Sequence, residues 1–154
     1  MDWGTNTYGR GAMERIEDAR ILKNSRRYAL SMYAAGTAVE GMLRSLHWLK
    51  SKEFDEKHDL KRIAVRIGNL GLLRSGGRDD DFVSKVQGVA RRWSNTLRFA
   101  DQEQLERFLA DVGEIRKRDD EGEIRRACER HFNASSEVVK RCNKLLKLHT
   151  GVDI

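Results

Sequence analysis

Residues 26–49 read RRYALSMYAAGTAVEGMLRSLHWL, and the rest of the chain is arranged around them. The apolar residues Tyr28, Met32, Ala35, Val39, Met42, Leu46 and Leu49 recur at alternating steps of four and three. That spacing holds one face of an α-helix against a partner, so the stretch is a central helix. Beside the stripe lie Ala34, Ala35, Gly36, Ala38 and Gly41. Two glycines inside a helix cost about 1 kcal/mol each relative to alanine, a cost that close approach of a second helix offsets. Glu40 and His47 sit on one flank of the stripe, with Arg44 one turn beyond Glu40 and able to pair with it. They form either a polar edge of the packing face or a patch that orders a loop or lines a dimer cleft.

On the N-terminal side, Met13, Ile16 and Ala19 mark a first helix over residues 12–24, and Asn24-Ser25 supplies a break and a cap. So short a connection implies an antiparallel pair of helices. Residues 1–11, rich in Gly, Thr and Asn and without helical period, read as a flexible tail. The domain boundaries expected are therefore a tail over 1–11 and a single domain over 12–150.

On the C-terminal side the period lapses into the charged loop SKEFDEK, after which Asp59 is placed to cap a third helix over residues 59–73. His58, just before that cap, reads as a structural residue that hydrogen-bonds the loop backbone. Arg74-Ser75-Gly76-Gly77-Arg78 is a turn, and the acidic run from Asp79 to Asp81 suits the positive end of the helix that follows. Phe82, Val86, Val89 and Trp93 define a fourth helix over residues 80–93. Leu105, Phe108, Leu109, Val112 and Ile115 define a fifth, opened by Asp101. A charged hinge over residues 116–122 precedes a last helix over 123–149, with Gly151 as its stop.

With 154 residues the chain is long enough for one domain with a real core. Charged residues make up 35% and hydrophobic ones 39%, proline is absent, and no strand alternation persists. The fold class expected is all-α, an up-and-down bundle of five to six helices. A net charge of +6 favours a polyanionic partner, although acids are interleaved with the bases throughout. No apolar run reaches the length of a membrane span and the N-terminus lacks a signal-peptide core, so no membrane partner and a cytoplasmic location are expected. Cys128 and Cys142 stand fourteen apart on one helix, roughly 21 Å, and read as buried reduced thiols. Neither their spacing nor that of the histidines matches a metal site, and no cofactor motif is present.

Several short signals then occur in a particular order: Asp18-Ala19-Arg20-Ile21-Leu22, Arg27-Tyr28-Ala29, Ala34-Ala35-Gly36, Ala38-Val39-Glu40 and Leu43, and Lys57-His58-Asp59-Leu60. In this order they resemble the HEPN domain family, closely over residues 12–73 and by pattern in the later helices, where Trp93, Arg98 and Phe99 match the fourth. The resemblance implies a homodimer associated with RNA or a nucleotide. It also implies a component of a prokaryotic toxin–antitoxin or defence system, acting with a partner such as a nucleotidyltransferase. In that reading Arg74, Arg78, Arg91, Arg92 and Arg98 supply phosphate contacts.

The alternative implied by the same resemblance is a metal-independent ribonuclease, whose signature is an Arg followed after four to six residues by a His. Histidine would move the proton of the attacking or leaving oxygen while arginine holds the phosphate. His131 alone fits, behind Arg126 or, alternatively, Arg125. Residues five apart on a helix lie about 140° apart, so such a pair faces one substrate only if the helix begins between them or a second subunit completes the site. The discriminating feature is burial: a nuclease needs these side chains in an open basic cleft, whereas a binding module needs His131 enclosed and the basic turns exposed.

Overall fold

Six α-helices, with a 3-10 turn between the fourth and fifth, are seen among the described residues. The structure is a computed structural model and describes residues 5–52, 58–69 and 79–151. The helices are α1 (Thr5–Asn24), α2 (Tyr28–Lys50), α3 (Leu60–Asn69), α4 (Asp79–Arg91), α5 (Gln102–Asp111) and α6 (Glu121–Thr150); the 3-10 turn is Asn95–Phe99. No strand occurs among these residues, and the all-α class expected from the periodicity holds. The turn carrying Arg74 and Arg78 lies outside the described residues, as do the expected tip of the third helix and the loop over 53–57.

The stripe of α2 is the centre of the core, with Met32, Ala35, Val39, Met42 and Leu46 fully enclosed. The small residues beside it receive two different neighbours. At Gly41 it is α1, since a Cβ there would stand 3.2 Å from the Ala12 Cβ and 3.3 Å from the Tyr8 carbonyl oxygen. At Gly36 it is the Trp93 indole, which occupies the space a Cβ would take and donates from Nε1 to the Tyr33 carbonyl at 3.1 Å. Ser31 fixes the α1–α2 register by donating to the Ala19 carbonyl at 2.7 Å inside the core.

The contact of Tyr8 and Ala12 with Gly41 corrects the expected start of the first helix. Residues 5–11 are helical rather than a tail. The segment shows no apolar period because backbone and Ala12 lie directly on the small face of α2, a form of packing that requires no large side chain. Helix α1 ends in a left-handed residue, Arg26 (φ 58°). Around it Arg27 N–H donates to Leu22 O at 2.8 Å and Arg26 N–H to Lys23 O at 3.0 Å, the paired closure of a Schellman stop.

The later helices start where their caps stand. Asp59 accepts from Arg62 N–H at 3.0 Å. Asp101 and Gln104 form a reciprocal capping box at the head of α5, at 2.8 and 2.9 Å. Asp120 caps α6 by accepting from Glu123 N–H at 3.1 Å, and Gly151 (φ 72°) ends it. Helix α6 runs parallel to α2, meeting Tyr28 with Cys128 and Met32 with His131. Both cysteines are buried and unpaired. Burial pushes the Cys128 thiol up to about 11 and that of Cys142 higher still.

The polar flank of α2 is tied to His58, just ahead of α3. Buried Glu40 accepts from Arg44 Nε at 2.7 Å and lies 2.8 Å from His58 Nδ1. His58 thus has a structural contact with the Glu40 carboxylate, while the loop backbone it was expected to bond lies outside the described residues. None of the helices is long and apolar enough to cross a membrane, among the described residues.

Candidate functional site

His131 projects from α6 toward α2 and is 0% exposed. Its Nε2 lies 3.0 Å from the Met32 carbonyl oxygen. A carbonyl only accepts, so Nε2 carries the proton and donates. Nδ1 has no hydrogen-bond partner, nor does the hydroxyl of Ser135 one turn further along. Burial, helped by the charge of Arg92, pushes the imidazole down to about 4 against the opposing pull of the Met32 bond. It is neutral near pH 7.

Arg125 and Arg126 are exposed on the first turns of the same helix. Because α6 already begins at Glu121, both arginines and His131 belong to one continuous helix, and the about 140° between positions five apart applies in full. The structure thus does not bring Arg126 or Arg125 together with His131 in an open cleft. His131 belongs to the series Ile124, Cys128, His131, Ser135, Val138 and Cys142, which recurs at steps of four and three along one face of α6, and the packing of that face on α2 encloses it.

The other arginines singled out by the sequence separate by environment. Arg91 and Arg92 of the α4 end converge on Glu114, at 2.6 and 3.4 Å. Arg130 of α6 joins them at 3.1 Å and also donates to the Glu114 carbonyl at 2.9 Å. The Glu114 side chain is 6% exposed. Burial alone would raise its carboxyl, but the three guanidiniums outweigh that and hold it below the usual range. Arg92 is buried in this cluster and its charge is answered there, so it is a structural cation rather than an open phosphate contact. Arg91 and Arg130 keep exposed faces. Arg98 lies 4.5 Å over the ring of Phe99, which is 76% exposed. Arg74 and Arg78 fall outside the described residues.

Glu114 carried no signal in the sequence, where the period running to Ile115 places it inside the fifth helix; that helix in fact ends at Asp111, which leaves Glu114 in the connection to α6. Only the approach of α4 and α6 gives it three partners. Among the described residues no group of three His, Cys, Asp or Glu side chains is placed to hold a metal ion.

Compared with known families, the chain matches the family model described as HEPN domain over residues 7–145, most of its length. The match begins inside the segment that the sequence had assigned to a tail. No curated protein and no solved structure matches.

Proposed function

Because the chain belongs to the HEPN domain family, we propose that within the RNA- or nucleotide-related role of that family it is a binding module that does not cut RNA. The observation that supports this most is the enclosure of His131. A general acid or base must reach the proton it moves, and this imidazole is fully buried with its one N–H given to Met32. The alternative, a metal-independent ribonuclease using Arg126 and His131, would require the ring to leave the core.

Exposed cations support the binding role. Arg91 offers a guanidinium to phosphate, and the Arg98–Phe99 pair offers a stacking face for a base. We further propose that the protein pairs as a homodimer and acts in a toxin–antitoxin or defence system beside a partner such as a nucleotidyltransferase. An apolar hollow of about 340 Å³ between α1 and α2, lined by Ile21, Leu22, Leu30, Tyr33 and Ala34 with Arg15 and Asp18 at its rim, supports the pairing.

The test is incubation of the purified protein with a mixed cellular RNA pool in excess chelator, beside folded His131→Ala and Arg126→Ala variants. The expected result is measurable RNA or nucleotide binding without cutting. Cutting by the wild type that both substitutions abolish would overturn the binding module and establish the nuclease.

A further inference from the structure

Two adjoining polar hollows open at the end of the bundle where the α1–α2 turn meets the start of α6. One, of about 250 Å³, is lined by Arg26, Tyr28, Glu121, Gly122 and Arg125. The other, of about 400 Å³, shares Arg26, Tyr28 and Glu121 with it and adds Gln102, Glu106 and Asp119. Three separate parts of the chain build this cleft, residues 26–28, 102–106 and 119–125.

Tyr28 forms its floor. The residue is 3% exposed, it lines both hollows, and among the described residues no protein group hydrogen-bonds its hydroxyl. Burial and the nearby Glu121 carboxylate raise the phenol above its ordinary value, so the hydroxyl is a standing donor.

The charges around the floor are unevenly committed. Glu106 accepts from Gln102 Nε2 and from Asp119 N–H, both at 3.1 Å. Glu123, just behind the cleft, accepts from the backbone N–H groups of Arg116 and Lys117 at 2.6 and 3.2 Å. Asp120 is occupied as the α6 cap. Glu106 is thus answered by backbone and amide donors and Glu121 by Arg26 at 3.3 Å, whereas the Arg125 guanidinium has no ion pair among the described residues. The smaller hollow therefore presents two guanidiniums and a phenol beside one carboxylate, Glu121, which Arg26 pairs. The larger one, with Glu106, Asp119 and Glu121, presents acceptors.

We propose that this cleft binds a nucleotide through a terminal phosphate, held by Arg26, Arg125 and the Tyr28 hydroxyl. The ribose hydroxyls and base amino groups then face the acceptors of the larger hollow. The inference rests on the RNA- or nucleotide-associated reading above and gives it a location. A free mononucleotide and the phosphorylated end of an RNA strand share this chemistry.

The experiment titrates the full chain with each of the four ribonucleoside 5′-monophosphates, with the corresponding nucleosides, and with one short RNA carrying either a 5′-phosphate or a 5′-hydroxyl. Wild type, Arg125→Ala, Tyr28→Phe and a Lys144→Ala control are compared, each checked for an unchanged melting transition. Expected are binding of at least one monophosphate, about tenfold or more weakening on removing the phosphate or the Arg125 side chain, a smaller loss for Tyr28→Phe, and none for Lys144→Ala. A 5′-phosphate preference in the RNA that Arg125→Ala erases identifies a strand end as the source; response to the free monophosphate alone identifies a mononucleotide. RNA or nucleotide binding that neither substitution weakens overturns the cleft and leaves the module standing. Absence of binding to every probe overturns both.

Discussion

His131 holds a proton on Nε2 and none on Nδ1, and the core around it resists a second. In the unfolded chain the imidazole protonates near its ordinary 6.5, while in the folded chain it does so only near 4. Between those values the unfolded state binds the extra proton, so stability falls as the pH is lowered from about 6.5 toward 4, by up to about 3 kcal/mol. Urea unfolding across that range measures the loss. A His131→Leu variant should lack this component, and the same slope in the variant would assign the loss to other groups. Gly36 makes the complementary point about space. Its missing side chain is the place of the Trp93 ring, so a residue that weakens α2 as an isolated helix is required by its neighbour.

Among the elements, the helix ends follow local rules and the joints between helices do not. Asp59, Asp101 and Asp120 each cap the helix that follows by accepting a backbone N–H. The joint of α4, the segment after α5, and α6 is instead one carboxylate, Glu114, among three arginines. Glu114→Gln keeps the shape and removes the charge, leaving buried Arg92 without an ionic partner. The expected loss is about 2 kcal/mol, below the range for a fully buried pair because Arg91 and Arg130 remain in water. Chemical denaturation would measure it, and a change under about 0.5 kcal/mol would show that the cluster is electrostatically redundant. Sequence patterns made the Asp59 and Asp101 caps legible because a cap is a contact over three residues, whereas the cap expected for α2 at Asn24-Ser25 does not form, α2 starting after Arg27 without a side-chain cap. Those patterns left Glu114 unmarked because its three partners lie 23, 22 and 16 residues away.

For the whole molecule, the open question is what covers the α1–α2 hollow. Ile21 stands at its edge and is 51% exposed. If a second copy seats there, sedimentation equilibrium at micromolar concentration gives twice the 17.8 kDa chain mass, and Ile21→Glu weakens the association about tenfold or more by placing a charge in an apolar contact. A monomer at those concentrations, or a dimer indifferent to the substitution, would direct attention to another face. Either result leaves the intramolecular core intact, because Ile21 points away from it.

The order and type of the helices, the Asp59 and Asp101 caps, the Gly151 stop and the central place of α2 were determined by the sequence alone, since each depends on spacings within one helix or one turn. The family was legible for the same reason, from short signals in a fixed order. What only the tertiary structure decided is which way each helix turns its polar residues. The packing of α6 on α2 encloses His131 and leaves Arg125 outside. The meeting of the α1–α2 turn with α5 and α6 gathers Arg26, Tyr28, Glu106 and Arg125 at one end. Residues 5–11 are helical because they lie on the small face of α2, a partner that no local pattern records. Periodicity states that a face is covered; the covering element comes from elsewhere in the chain, and with it the environment that sets a side chain's charge and reach.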